Sequence, residues 1–277
     1  MRPDGNDGTR VAATDIRTYV VNLRRRRDRR ERMERILPAE LPAAFTSDWE
    51  GPFDGRSLDL ETISDLGHRL FPWRIESDNP WWSRPLKFGE IGCSLAHLAC
   101  WRDAADNTSA PYVLILEDDA VLGSGFLPRL LDGLGRLAAE DPFDLLYLGR
   151  FPLDPDRPAL PGFVVPGYSH CTFGYLLTRR GLGRILDAAL DQAVVPVDEF
   201  LPALYTDHPR ADLRARFPRC LEARAFDPPI VRQLPKEEAG SDTEDSAFVS
   251  ETPQGDGETS SARSGPAAAS PSSRVSE

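Results

Sequence analysis

Apolar positions fall in short blocks separated by polar, Gly- and Pro-containing stretches, and the blocks are of two kinds. The first kind is β-branched or continuous. Ile16 to Val21 is β-branched and aromatic and reads as a strand. Pro111-Tyr112-Val113-Leu114-Ile115-Leu116 is an unbroken apolar run of strand length, which suits a central strand buried on both faces. Phe143 to Leu148 and Thr172 to Leu177 add two more strands. The second kind has helical spacing. The pattern predicts a helix from about Asp28, as N-cap, to Leu37, with Pro38 as the stop. Ile91, Leu95, Leu98 and Ala105 give one side of a helix from about Glu90 to Asp106. Further helices fit Phe126 to Ala139 and the stretch from Leu177 to about Leu190. Pro196-Val197-Asp198-Glu199 leads into a short helical piece. Strands alternate with helices, so the expected class is α/β, a mostly parallel central sheet flanked by helices.

Between these blocks, residues 50–88 are rich in Gly, Pro, Asp and Trp and read as loops with short helical pieces. Residues 1–14 read as a flexible polar leader and 15–245 as one domain. From about Lys236 the composition turns to Ser, Thr, Gly, Pro and acids, so 246–277 reads as a tail that cannot bury enough surface to order.

Composition narrows the function classes. The chain has 277 residues, 40% of them hydrophobic, enough for a sizeable core. A formal net charge of -11 argues against nucleic acid as a partner. One segment runs against that charge: Arg24 to Arg30 holds six arginines and one acid, Asp28. It reads as a phosphate-binding patch or as a solvated helix face. Cys93, Cys100, Cys171 and Cys220 form no CxxC pair and suggest buried thiols, not a disulfide framework. No apolar run is long enough for a transmembrane segment, and the N-terminus lacks the apolar core of a signal peptide. The expected location is cytoplasmic.

The candidate chemistry lies at the end of the apolar strand, in Glu117-Asp118-Asp119. Ligands of open α/β sheets bind beyond the carboxyl ends of strands. Three adjacent carboxylates repel one another and invite a compensating cation. Hard ions such as Mn²⁺ or Mg²⁺ take carboxylate and phosphate oxygens together. Alternation along an extended segment turns Glu117 and Asp119 towards one ion and Asp118 towards the protein. An acidic turn running to solvent is the plain alternative, and the triplet alone also fits a nuclease, a phosphatase or a nucleotidyltransferase.

Four segments in order are more specific: Val21-Asn22-Leu23-Arg24-Arg25 with Asp28-Arg29-Arg30, then Gly89-Glu90-Ile91-Gly92-Cys93-Ser94-Leu95-Ala96-His97, then Leu116-Glu117-Asp118-Asp119, then Val197-Asp198-Glu199-Phe200-Leu201-Pro202. Together they resemble glycosyltransferase family 25, which includes bacterial lipooligosaccharide galactosyltransferases and the animal procollagen galactosyltransferases. The likeness covers about Thr18 to Asp245 and is strongest to the C-terminal catalytic domain of the procollagen enzymes. Ala96 departs from the Ser that often precedes the helix histidine in that family.

The resemblance implies a GT-A type fold, a UDP-sugar donor with UDP-galactose first, Mn²⁺ or Mg²⁺ on Glu117 and Asp119, and inversion at the anomeric carbon. The acceptor is then a hydroxyl of a protein or glycan: hydroxylysine of a collagen-like protein, or a lipooligosaccharide or other surface glycan. A non-catalytic scaffold that binds a nucleotide sugar is the other class. Asn22, Leu23, Arg24, Arg25, Lys87, Gly89, Glu90, Gly92 and Asp118 are the expected donor-binding residues, the glycines allowing close backbone approach. The later arginines, Arg29, Arg30 and Arg32, read as the coat of a helix. Asp198 is the first candidate for the base that inversion needs, and Glu199 the second. Asp198 as a simple N-cap is the competing reading. His97 shares a helix side with Cys93 and Trp101 and reads as a packed, hydrogen-bonded core histidine, with ligand contact as the alternative. Trp73, Trp81 and Trp82 either face a sugar or pin their loop to the core. Tyr168, Ser169 and His170 either line the acceptor side or pack a loop.

Overall fold

The computed structural model describes residues 10–249. The leader and tail expected over residues 1–9 and 250–277 lie outside that range. Val11, within the expected leader, is already buried, and a 3-10 turn follows at Ala13–Asp15. At the other end, the Phe88 amide bonds the Ala247 carbonyl and the Val249 amide bonds the Leu86 carbonyl, so residues 246–249 lie against the domain.

The elements run β1 Ile16–Val21, α1 Arg27–Ile36, β2 Ala43–Phe45, α2 Leu60–Asp65, α3 Phe88–Asn107, β3 Tyr112–Glu117, β4 Ala120–Leu122 and α4 Phe126–Glu140. Then follow β5 Leu145–Pro152, β6 Arg157–Pro158, β7 Phe163–Val165, β8 Ser169–Thr178, α5 Arg179–Asp187, α6 Val197–Tyr205, α7 Ala211–Arg216, β9 Ala223–Phe226, β10 Val231–Gln233 and α8 Lys236–Ala239.

Eight strands form one sheet in the order β2-β1-β3-β8-β5-β9-β7-β6. The pairings make β2, β1, β3, β5, β9 and β6 run one way and β8 and β7 the other. This is the mostly parallel, helix-flanked α/β sheet expected of a GT-A type fold. The long strand β8 is the central exception, inserted antiparallel between β3 and β5, and the short β7 is the other.

The apolar run of β3 sits at the centre because both its faces are covered. Val113 and Ile115 join one core with α3, α5 and α6, while Leu114 and Leu116 join the other with α1 and α4. All four are fully buried. A strand so packed delivers its last residues to a fixed place. Register adds to this: Val21 of β1 lies opposite Glu117 of β3, and the Asp118 amide bonds the Val21 carbonyl at 3.1 Å.

Two helix starts differ from the expected ones. Helix α1 begins at Arg27 with no side-chain cap, and Asp28 sits in its first turn, bonded to Arg26. Helix α3 begins at Phe88, where the Glu90 carboxylate accepts the Lys87 amide at 2.7 Å and so fills one open donor of the first turn. No described helix is long and apolar enough to cross a membrane.

Candidate active site

Two adjoining cavities open at the carboxyl ends of β1 and β3. The first takes in Asn22, Leu23, Arg29 and all three acids of the triplet. The second takes in Trp73, Trp81, Glu90, His170, Asp198 and Glu199. Cys93, Glu117 and Gln233 line both cavities, so Glu117 stands at their common wall.

The three acids have separate roles in the packing. Asp118 turns inward, where it accepts Asn22 Nδ2 at 2.8 Å and Arg29 Nη1 at 2.6 Å. Burial raises its pKa and Glu117 adds to that, against the pull of Arg29 and Asn22. Glu117 accepts the Thr172 hydroxyl at 2.5 Å. Burial works to raise its carboxyl, but the nearby His97 and Thr172 outweigh it and the net shift is downward. Asp119 accepts Gln233 Nε2 at 3.0 Å through one oxygen, while its other oxygen, Oδ1, is buried without a hydrogen-bond partner. Burial first, then Glu117 and Asp118, push its pKa up to about 7. A carboxylate oxygen buried, unpartnered and crowded by two other acids is a place where a cation lowers the energy. The donor set therefore fits a hard divalent ion on Glu117 and Asp119.

Of the expected donor-side residues, the fold brings Asn22, Leu23, Gly89 and Asp118 to the first cavity. Glu90 instead faces the second, held by Arg84 through two bonds of 2.5 and 3.0 Å. Arg24, Arg25, Lys87 and Gly92 line neither cavity. Arg24 reaches out to the Ser47 and Trp49 carbonyls and to Glu50. Arg25 pairs with Asp54 and Asp242, and Lys87 with Glu244. Gly92 does serve a close backbone approach, but to protein: a Cβ there would stand 2.3 Å from the Phe53 carbonyl oxygen. Arg29, expected in a helix coat, is buried and bridges Asp118 to the Gly240 carbonyl. Ser241, Asp242 and Thr243 close the same cavity. Of these, Asp242 carried a signal in the sequence as one of the acids that balance the arginine run, and it pairs with Arg25 and Arg26.

The first turn of α6 carries the other acids. Pro196 holds the N-cap position, so Asp198 lies within the turn and is not a cap. No hydrogen bond to its carboxylate is found among the described residues; burial and the neighbours Glu199, Glu90 and Glu117 push its pKa up to about 7, with His170 opposing. Glu199 is its opposite. It accepts Trp82 Nε1 at 2.9 Å, Tyr168 Oη at 2.8 Å and His208 Nε2 at 2.7 Å, with His170 Nε2 at 3.4 Å. Burial works to raise its pKa, but these donors bring it down to about 2. The His208 tautomer is fixed by its surroundings: Nδ1 accepts the Arg210 amide at 3.0 Å, which leaves the proton on Nε2 for Glu199. His208, which carried no signal in the sequence, is thus a buried partner of the site. Trp82 pins its loop through Glu199, whereas Trp73 and Trp81 face the second cavity.

His97 is packed as expected. Its Nδ1 meets the Tyr175 hydroxyl at 2.8 Å, and its ring stacks on that of Tyr175. Yet its Nε2 has no hydrogen-bond partner and points at Glu117 Oε1, 3.6 Å away.

A sequence profile described as "Glycosyltransferase family 25 (LPS biosynthesis protein)" matches residues 15–148. The chain is 36% identical over 220 residues to procollagen galactosyltransferase 1-A of Xenopus laevis, covering 77% of this chain and 35% of that protein. The chain belongs to glycosyltransferase family 25. It is also 35% identical over 248 residues to the probable inactive glycosyltransferase 25 family member 3 of Bos taurus, covering 84% of this chain and 38% of that protein. The human inactive family member 3 is 35% identical over 248 residues, with 83% and 39% covered. The chain therefore spans well under half the length of these family 25 relatives. The profile match takes in β1, the start of α3 and the acidic triplet, and it ends before α6.

Proposed function

We propose that the cleft transfers a hexose, with inversion, from a UDP-sugar in the first cavity to a hydroxyl acceptor in the second. The observation that carries this reading is the meeting of the two cavities at Glu117, with the acidic triplet on one side and Asp198, which accepts no hydrogen bond among the described residues, on the other. Glu117 and Asp119 are the residues to hold Mn²⁺ or Mg²⁺, which when bound supplies positive charge to the departing diphosphate. Asn22 and Arg29 fix Asp118 and with it the turn that presents the other two acids. Asp198 takes the acceptor hydroxyl proton: its raised pKa suits a base working near neutral pH. Glu199 is a positioning residue. Already saturated by donors, it holds Trp82, Tyr168, His170 and His208 around the second cavity.

Galactose as the sugar and a collagen-like protein acceptor are supported by the names of the procollagen galactosyltransferase relatives. A surface-glycan acceptor is supported by the description of the family profile. The relatives named inactive support a second reading, a scaffold that binds a nucleotide sugar and transfers nothing. Purified protein with a panel of UDP-sugars, Mn²⁺ and either a hydroxylysine peptide or a lipooligosaccharide separates these. The enzyme reading expects Mn²⁺-dependent release of UDP, abolished in Asp119→Ala. UDP-sugar binding without turnover on any donor would favour the scaffold.

A further inference from the structure

Cys93 and His97 stand one turn apart on α3, facing the end of β3. The Cys93 sulfur, a His97 ring nitrogen and a Glu117 oxygen all lie within 4.8 Å of one another. His97 is fully buried, and its Nε2 is the ring atom left without a partner. The 3.6 Å between Nε2 and Glu117 Oε1 is long for a hydrogen bond. It is close to the separation of about 3.3 Å that two ligands about 2 Å from a tetrahedral ion would have. The other ring nitrogen is already tied to the Tyr175 hydroxyl, which also accepts Trp101 Nε1 at 2.9 Å. That is the outer-shell contact that orients a metal-binding imidazole. Cys93 and Glu117 both line the cleft, so an ion has a way in and a fourth position open to solvent.

We infer that Cys93, His97 and Glu117 form a site for a thiophilic divalent ion of the Zn²⁺ class, overlapping the all-oxygen pair of Glu117 and Asp119. Sulfur, imidazole and one carboxylate are the donors such ions take, whereas Mn²⁺ and Mg²⁺ prefer oxygen. Coordination replaces the thiol proton, which leaves to solvent, so each ion bound by sulfur releases one proton. The two sites share Glu117. On the proposed function, occupancy by Zn²⁺ withdraws that carboxylate from the donor ion, and micromolar Zn²⁺ becomes an inhibitor that Mn²⁺ does not readily displace.

The test is Co²⁺ and Zn²⁺ titration of the metal-free protein, which requires no turnover. Co²⁺ should give a thiolate-to-metal absorption band in the near ultraviolet at one equivalent, and Zn²⁺ should bleach it. Cys93→Ser should abolish the band and weaken Zn²⁺ at least tenfold, while Cys171→Ser, at another cysteine of the second cavity, leaves both unchanged. Cys93 is only partly buried, so the serine variant tests the site even if His97→Gln fails to fold. No band in the natural protein, or a band that survives Cys93→Ser, overturns the site. Failure of sugar transfer with the band intact bears on the proposed function alone.

Discussion

Asp198 and Glu199 are neighbours on one turn of α6, yet the fold treats them as opposites. Glu199 is saturated by an indole, a phenol and imidazoles, and its pKa falls to about 2. Asp198, half-buried beside it, accepts no hydrogen bond among the described residues, stands near three other acids with His170 and Arg84 as its basic neighbours, and rises to about 7. A carboxylate that the protein has fully hydrogen-bonded is part of the scaffold; one it has left without hydrogen-bond donors is available for chemistry. The same division separates Asp118, locked by Asn22 and Arg29, from Asp119, which keeps one buried oxygen unpartnered.

The largest expected effect that would break this comparison is on turnover. Asp198→Asn should lower transfer by about 10²- to 10⁴-fold, the range for loss of a general base. Thermal stability should not fall with it, because the carboxylate removed accepts no hydrogen bond among the described residues and stands among other acids. Next comes Glu199→Gln, which should destabilise the fold by about 3 kcal/mol, as expected when one partner of a buried ionic cluster is lost. Denaturant melts at neutral pH read this directly, and equal losses in both variants would erase the distinction.

A pH titration of stability sharpens it further. Glu199 has a depressed pKa, so its contribution is present above the ordinary carboxylate value and is lost as pH falls towards about 2. Asp198 has a raised pKa. The folded state then holds its proton more tightly than the unfolded state, and stability declines as pH rises from about 4 to about 7. The Asn variant should lack that decline, and the Gln variant should lack the acid limb. The smallest effect is Trp82→Phe. It removes one donor to Glu199 and should cost about 1 kcal/mol with little change in the second cavity.

The sheet was legible in the sequence where strands were long and apolar. The run before Glu117 suited a central strand, and its covered faces explain why the triplet is fixed. Short strands were not legible, because β6, β7, β9 and β10 have two to four residues, and β7, β9 and β10 pair with strands far along the chain. The antiparallel insertion of β8 was hidden for a related reason: periodicity reports burial and carries no direction. At the site, the family resemblance grouped Asn22, the triplet and Asp198 but could not tell paired from free charges. Arg24, Arg25 and Lys87 look like phosphate ligands in sequence, yet Glu50, Asp54, Asp242 and Glu244, distant in sequence, take them up. Arg29 looked like surface because helix spacing alone does not reveal that Asp118 waits beneath it.

The central claim is that Glu117 and Asp119 hold an ion that grips the donor diphosphate. UDP binding by calorimetry, with and without Mn²⁺, in the natural protein and in Asp119→Asn, tests it most directly. The account predicts that Mn²⁺ tightens UDP at least tenfold in the natural protein and has no effect in the variant. Equal UDP affinity in all four titrations would contradict it.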